Sequence, residues 1–150
     1  MSIANQLEDK IMNLVLTNTS FAAITTVYGA LHTGDPGETA TANLLASHAW
    51  MPVVFNAAAS ATSVNATTIT WTCSATGTIT YLSLHKTSTT EATNALWSGA
   101  LTASKVVANV GDQVQAASDR IPVDHHIMLD QLTKNTILEV INDVVSGQHL

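Results

Sequence analysis

The pattern of apolar and polar positions begins with a stretch of helical spacing. Polar residues such as Glu8 and Asp9 lie off the apolar stripe, and Ser2 is suited to be the N-cap. Polar residues 17–20 compete for backbone hydrogen bonds and should end the helix. The sequence therefore predicts an amphipathic helix over about residues 3–16. Its apolar stripe comprises Ile3, Leu7, Ile11, Leu14 and Val15.

In the middle of the chain, residues 19–126, the pattern of apolar and polar positions changes to a period of two. Ile69, Trp71 and Cys73 alternate with polar residues, which places all three on one face of a strand. Pro52 confines its strand to a sheet edge or a bulge. The segment 74–77 contains turn residues between two strand-like runs and predicts a hairpin. The predicted strands are 26–32, 50–55, 67–73, 78–85, 95–101, 105–109, 114–116 and 121–123.

Short strands with frequent turn signals, such as the one at 35–37, are typical of a β-sandwich or barrel. We therefore expect a mainly β fold, a single sandwich of immunoglobulin-like or jelly-roll-like type. Residues 57–65 are rich in small side chains and are predicted to be a connection between strands.

The last part of the chain returns to helical spacing. Its apolar stripe comprises Leu138, Ile141, Val144 and Val145, and Gly147 is a suitable residue just beyond a helix end. We expect an N-terminal helix over 1–18, a sandwich over 19–126 and a C-terminal helical extension over 127–150. An isolated helix of this length is marginal in water, so the extension should dock on a neighbouring subunit.

Charge is scarce in this chain. Charged residues make up 11% of the sequence and hydrophobic residues 46%, which favours a Thr-rich β protein over a helical bundle. The net charge is −6 and the five cationic residues are scattered, so a nucleic-acid partner is not expected. No apolar run approaches the ~20 residues of a membrane-spanning helix, and no secretory leader is apparent. We expect a protein made in a bacterial cytoplasm, with no membrane partner.

No pattern typical of catalysis or metal binding emerges. His125 and His126 are adjacent, and neighbouring residues in a strand point to opposite faces, which disfavours a shared metal ion. The single cysteine, Cys73, excludes an intrachain disulfide and is expected to be buried. We expect no enzyme activity, no cofactor and no metal. Trp50, Trp71 and Trp97 leave a carbohydrate-binding module as a remote alternative.

Four blocks of the sequence resemble a family of small bacteriophage virion proteins, often described as tail fibre or minor tail proteins. The blocks lie in the same order and spacing at 26–36, 53–60, 69–71 and 96–112. The first contains the residues TVYGALHTGDP, and the last begins LWSGALTASK. The resemblance covers about residues 3–118, and residues from about 119 onward extend beyond the usual ending.

The resemblance implies a structural role in the virion. The leading hypothesis is a capsid decoration, or cement, protein, expected to be a homotrimer that contacts the major capsid protein. The alternative is a tail fibre, minor tail or head–tail appendage protein that contacts other tail proteins. The candidates for contacts between chains are Ile3, Leu7, Ile11, Trp50, Trp97, Leu138, Ile141 and Val145.

Overall fold

The computed structural model describes residues 2–20, 22–46, 50–60, 62–118 and 120–124. Strands dominate this part of the chain, and a short 3₁₀ helix at Ala92–Asn94 precedes the longest of them. The strands are β1 (Ser2–Ile3), β2 (Val27–His32), β3 (Met51–Val53), β4 (Thr62–Val64), β5 (Ile69–Thr72), β6 (Gly77–His85), β7 (Ala95–Val107), β8 (Gln113–Ala116) and β9 (Pro122–Asp124), and the α-helix is α1 (Asn5–Leu16).

Five strands form an antiparallel sheet in the order β1-β7-β6-β2-β3. Pro52 lies in β3 at one edge of this sheet, as its missing backbone N–H predicts. Two further antiparallel pairs, β4–β9 and β5–β8, complete the described strands. The fold is therefore mainly β, as the sequence predicts.

The β5–β8 pair packs on one face of the five-stranded sheet. The predicted alternation in β5 is confirmed, since Ile69, Trp71 and Cys73 are all buried. The indole Nε1 of Trp71 donates a hydrogen bond to the carbonyl oxygen of Gly29 in β2, at 3.1 Å. Side chains of β2, β6 and β7 join those of β5 in one hydrophobic core. This layering is consistent with the expected β-sandwich.

The opposite face of the five-stranded sheet is covered by the start of α1 and by the loop after β2. Ala4, Ala40 and Ala95 form a small buried cluster there, which small side chains allow to pack closely. Leu7 packs against the main core, whereas Leu14 and Val15 at the far end of α1 are exposed. The helix therefore contacts the sheet by its first turns.

The structure shows which residues occupy the two ends of α1, where the sequence predicted the caps. Ala4, not Ser2, occupies the N-cap position and makes no side-chain capping hydrogen bond, so that prediction is wrong. Ser2 instead pairs with Ser98 in β1, because the chain enters the helix from a strand. The predicted end is confirmed: Thr17 follows the last turn, and its Oγ1 donates to the carbonyl oxygen of Asn13 at 2.7 Å.

Three strand predictions need correction. The segment 74–77 does not form a hairpin, because β5 pairs with β8 while β6 pairs with β2 and β7. The predicted strands 95–101 and 105–109 are one long strand, β7, with an irregular stretch inside it. Part of the predicted connection 57–65 is β4, which pairs with β9.

The expected C-terminal extension over 127–150 lies outside the described residues. Within the described part of the chain, no helix is both long and apolar enough to cross a membrane.

Candidate functional site

In the described part of the chain, His32, Ser83 and His85 form a buried group of polar side chains. Ser83 Oγ lies 2.7 Å from His32 Nε2 and 2.8 Å from His85 Nε2. His32 Nδ1 lies 2.8 Å from the carbonyl oxygen of Ala42, which can only accept, so Nδ1 carries a proton. Ser83 Oγ thus bridges the two imidazole rings, and His32 donates to the loop.

Sheet register brings these side chains together. Ser83 and His85 are two residues apart in β6, and Ser83 lies opposite Ala30 in the neighbouring strand β2, two residues before His32. They therefore share the face that the helix and loop cover. All three side chains are fully buried, and the Trp50 ring meets that of His85 edge-on at 5.0 Å.

The burial of this group decides what it can do. A histidine beside a serine is the chemistry of nucleophilic catalysis, but a nucleophile must reach its substrate. Here the hydrogen bonds run from β6 through β2 to the loop, which fits a bracing role. No group of three or more potential metal ligands occurs in the described part of the chain, and His125 and His126 lie outside it.

An open groove of about 450 Å³ lies between β7 and β8. We call it the β7–β8 groove. Its apolar floor is formed by Leu31, Trp71, Leu82 and Trp97. Residues 99–103 of β7 and the segment 114–117 line its walls, and residues 120–122 line one end. Lys105 and Arg120 are both among its lining residues, so the groove carries positive charge.

One buried asparagine holds the end of this groove in place. The side-chain nitrogen of Asn65 donates to the carbonyl oxygens of Thr67 and Ala117, at 2.9 and 2.8 Å. Its side-chain oxygen accepts from the backbone nitrogens of Arg120 and Ile121, at 2.9 and 2.8 Å. Asn65 thereby supplies hydrogen-bond partners for backbone groups where the chain turns from β8 into β9. Sequence reasoning missed Asn65, because three of its four partners lie more than fifty residues away along the chain.

Several predicted contact residues are already used inside the chain. Ile3 is 3% exposed and Trp97 is 6% exposed, so both contribute to the protein's own core. Leu7, Ile11 and Trp50 are half-buried. Leu138, Ile141 and Val145 lie outside the described residues. Contacts between chains by these side chains stay a prediction.

The three tryptophans do not form an exposed platform for a sugar. Trp71 is 1% exposed and Trp97 6%, and only Trp50 is partly accessible. A carbohydrate platform needs aromatic faces in contact with solvent, so the remote alternative gains no support from this geometry.

Cys73 is buried as predicted, at the end of β5. Its backbone N–H donates to the carbonyl oxygen of Asp112, and the N–H of Gly111 donates to the Cys73 carbonyl oxygen. Burial, followed by the nearby Asp112 carboxylate, raises the pKa of the Cys73 thiol. Because the thiolate is the reactive form, this environment keeps the thiol inert.

The antiparallel layers, the hydrogen-bonded polar interior and the open apolar groove are thus the main features of the described fold. The family model described as Gp80, podophage GP4 fiber I protein gp80, matches residues 2–124. The chain therefore belongs to this phage fibre family, which confirms the resemblance to phage virion proteins. No match was found among curated proteins.

Proposed function

We propose that this protein is a structural subunit of a phage fibre and works through protein–protein contacts rather than catalysis. The observation that supports the proposal most is the family match, which spans nearly all of the described fold. The match favours the tail fibre alternative over capsid decoration.

The fold has internal hydrogen bonds of the kind expected in a protein that must keep its shape within an assembly. Its two layers are connected by the hydrogen bond from Trp71 to Gly29, and its polar interior is bonded through His32, Ser83 and His85. Buried hydrogen-bond networks of this kind favour one defined packing over alternatives. The scarcity of charge fits a surface that is covered in an assembly.

The proposed partners are further copies of this chain and other tail proteins, with a homotrimer as the expected assembly. In this proposal the segment 127–150 contributes contacts between copies. The protein resides in the virion, and neither nucleic acid nor membrane is a partner.

Purified virions test the proposal. Quantitative mass spectrometry should find the chain in a small, fixed number of copies per particle, and gold-labelled antibodies should mark the tail region in electron micrographs. Copies in proportion to the major capsid protein, with label over the whole capsid, would support decoration instead. Absence from the virion would refute both.

A further inference from the structure

The β7–β8 groove lies beside an irregular stretch of β7. Ala100 pairs with Tyr81 and Lys105 pairs with Ile79, so four residues of β7 lie opposite a single residue of β6. Extra residues of this kind bend a strand and re-aim its side chains, and they are frequent next to active sites. Residues 101–103 of the irregular stretch line the groove, and so does Lys105. The departure from regular pairing therefore shapes the groove itself.

The groove collects positive charge in an acidic protein. The chain has eleven acidic and five cationic residues, and two of those five, Lys105 and Arg120, line the groove. None of its described lining residues is acidic. Lys105 and Arg120 are both exposed, so their charges are accessible to a ligand. Charge complementarity favours an anionic ligand at this position.

The segment that carries Arg120 is fixed at the end of the groove. The backbone N–H groups of Arg120 and Ile121 donate to the side-chain oxygen of Asn65, at 2.9 and 2.8 Å. Asn65 is fully buried and also donates to the carbonyl oxygen of Ala117, another lining residue. The fold thus positions the backbone from which this guanidinium group extends.

The nature of the cations favours a carboxylate. The planar fork of donors on Arg120 matches the two oxygens of a carboxylate, and the ammonium group of Lys105 adds a second positive charge. Phosphate groups are commonly bound at the N-terminus of a helix. No helix begins at the groove in the part of the chain that the structure describes.

The rest of the lining is apolar. Leucine and tryptophan side chains form the floor, and the walls add alanine, valine, isoleucine and proline. Among the described lining residues, only Thr102 and Gln115 have uncharged polar side chains without an aromatic ring. Two such groups are too few for the hydroxyls of a sugar, which lose water on binding, whereas an alkyl chain needs no polar partner. A volume of about 450 Å³ is also typical of a cleft for a small molecule.

The floor includes a buried donor without an acceptor. Trp97 lies opposite Leu84, on the same face of the sheet as Leu82, so its ring is directed towards the β5–β8 layer. Trp97 is 6% exposed, and its indole Nε1 has no hydrogen-bond partner among the described residues. Because an unsatisfied buried donor is costly, a ligand that brings an acceptor to this part of the floor would be stabilised.

We propose that the β7–β8 groove binds a medium-chain aliphatic carboxylate, a fatty acid of about eight to ten carbons. The alkyl chain would lie on the apolar floor, and the carboxylate would be bound by Lys105 and Arg120. This site does not depend on the role of the protein in a fibre.

A homologous series of ligands tests the apolar part of the site. Hexanoate, octanoate and decanoate, each below its micellar concentration, are titrated into the isotope-labelled full-length protein. The indole N–H resonance of Trp97, assigned with Trp97→Phe, should shift and saturate. The affinity should rise by about twofold to fourfold per added methylene. The resonance of Trp50, which lies outside the lining, should not move. An affinity independent of chain length would contradict the proposal.

Ligands with other head groups test the charge. 1-Octanol should bind roughly threefold to tenfold more weakly than octanoate, and octylamine should not bind in the groove. Equal binding of octylamine and octanoate would overturn the proposal. Tighter binding of octyl phosphate than of octanoate would contradict the choice of a carboxylate.

Variants of the cations should give the same answer. Lys105→Gln and Arg120→Gln should each lower the affinity for octanoate by roughly twofold to fivefold, since each removes one exposed charge. Lys86→Gln, outside the groove lining, is the matched control and should leave the affinity unchanged. Equal affinities in all three variants would exclude binding of the carboxylate by these two cations.

A steric variant tests the location. Ala103→Phe, at an exposed lining position, should obstruct the groove and abolish saturable binding. Ala108→Phe, at an exposed position just beyond β7 and outside the lining, should bind octanoate normally. Unchanged circular dichroism would establish that both variants are folded. Normal binding by Ala103→Phe would place the ligand elsewhere and refute the proposal.

The same spectra reveal any other occupant. A Trp97 resonance that moves on dilution of the free protein and ignores octanoate would show a second copy in the groove. Nuclear Overhauser contacts from Trp97 to residues 125–150 of the same chain, unaffected by octanoate, would show its own C-terminal segment there. Either result would refute the ligand site, and the presence of the protein in virion tails would still support the proposed function.

Discussion

The indole of Trp71 lies directly against the backbone of Gly29. The hydrogen bond from Trp71 Nε1 to the Gly29 carbonyl oxygen is 3.1 Å long, and a Cβ built on Gly29 would fall 2.8 Å from Trp71 Cζ2. No real Cβ contact is that short, so a side chain at position 29 would have to push the rigid ring away. The two layers of the fold can approach each other because residue 29 is a glycine.

Gly29→Ala should therefore destabilise the protein by about 1–3 kcal/mol through overpacking. Gly77→Ala is the matched control, because its Cβ would meet the flexible end of Leu45, at 3.1 Å, and should cost less. Trp71→Ala should cost about 3–5 kcal/mol, as for other large core truncations. Urea unfolding measures all three, and equal costs at the two glycines would contradict the argument.

Asn65→Ala should destabilise the fold by about 2–4 kcal/mol, because it removes four hydrogen bonds from a buried site. Asn65→Asp keeps the shape but loses both donors, so it should also destabilise. Asn56→Ala, at an exposed position, should change the free energy of unfolding by less than about 0.5 kcal/mol. Amide hydrogen exchange at Arg120 and Ile121 should accelerate in Asn65→Ala, and unchanged protection there would argue against the bracing role.

Ser83→Ala removes the hydroxyl shared by His32 and His85 and should cost about 1–3 kcal/mol. Ser98→Ala, at its cross-strand neighbour in β7, should cost less. Thermal unfolding checks this comparison. Similar values for both serines would show that the hydrogen-bonded group contributes no more than ordinary packing.

The Cys73 thiol should resist modification in the folded protein. Its side chain is fully buried and its pKa is raised above the ordinary value of 9.0, so little thiolate is present. A chromogenic disulfide reagent should react slowly at pH 8 and rapidly in denaturant. The folded state holds the thiol proton more tightly than the unfolded state, so stability should fall as pH rises past the unfolded thiol pKa. Cys73→Ala should flatten that alkaline slope, and rapid labelling of the native protein would contradict the prediction.

Glu8 should make the free energy of unfolding depend on pH in the acidic range, whereas Cys73 does so in the alkaline range. Burial, then the carboxylates of Glu38 and Asp9, raise the pKa of the Glu8 carboxyl. The folded state therefore binds this proton more tightly, and the contribution of Glu8 to stability should decrease as pH rises from the unfolded pKa through the folded one. Glu8→Gln should reduce this dependence at pH values above the ordinary carboxyl pKa of 4.5. Chemical unfolding of the wild-type and variant proteins across that range measures the difference.

The sequence predicts strands better than it predicts their partners. The alternation of Ile69, Trp71 and Cys73 fixes which face is buried, because side chains in a strand alternate. It carries no information on pairing, so the short link at 74–77 looked like a hairpin although it joins strands of different sheets. The groups that brace the interior were missed for the same reason, since Ser83 and His32 are close only after the sheet has formed.

The sheet order also fixes when this protein can finish folding during its synthesis. β1, made first, pairs with β7, whose residues emerge from the ribosome much later. The central strand β6 has both neighbours only after β7 has been translated. Until then the apolar side chains of β2 and β5 lack the core residues of β7 that they pack against in the folded protein. The nascent chain must pass through an interval in which chaperones can bind it, and pausing of translation before residue 107 should prolong that interval.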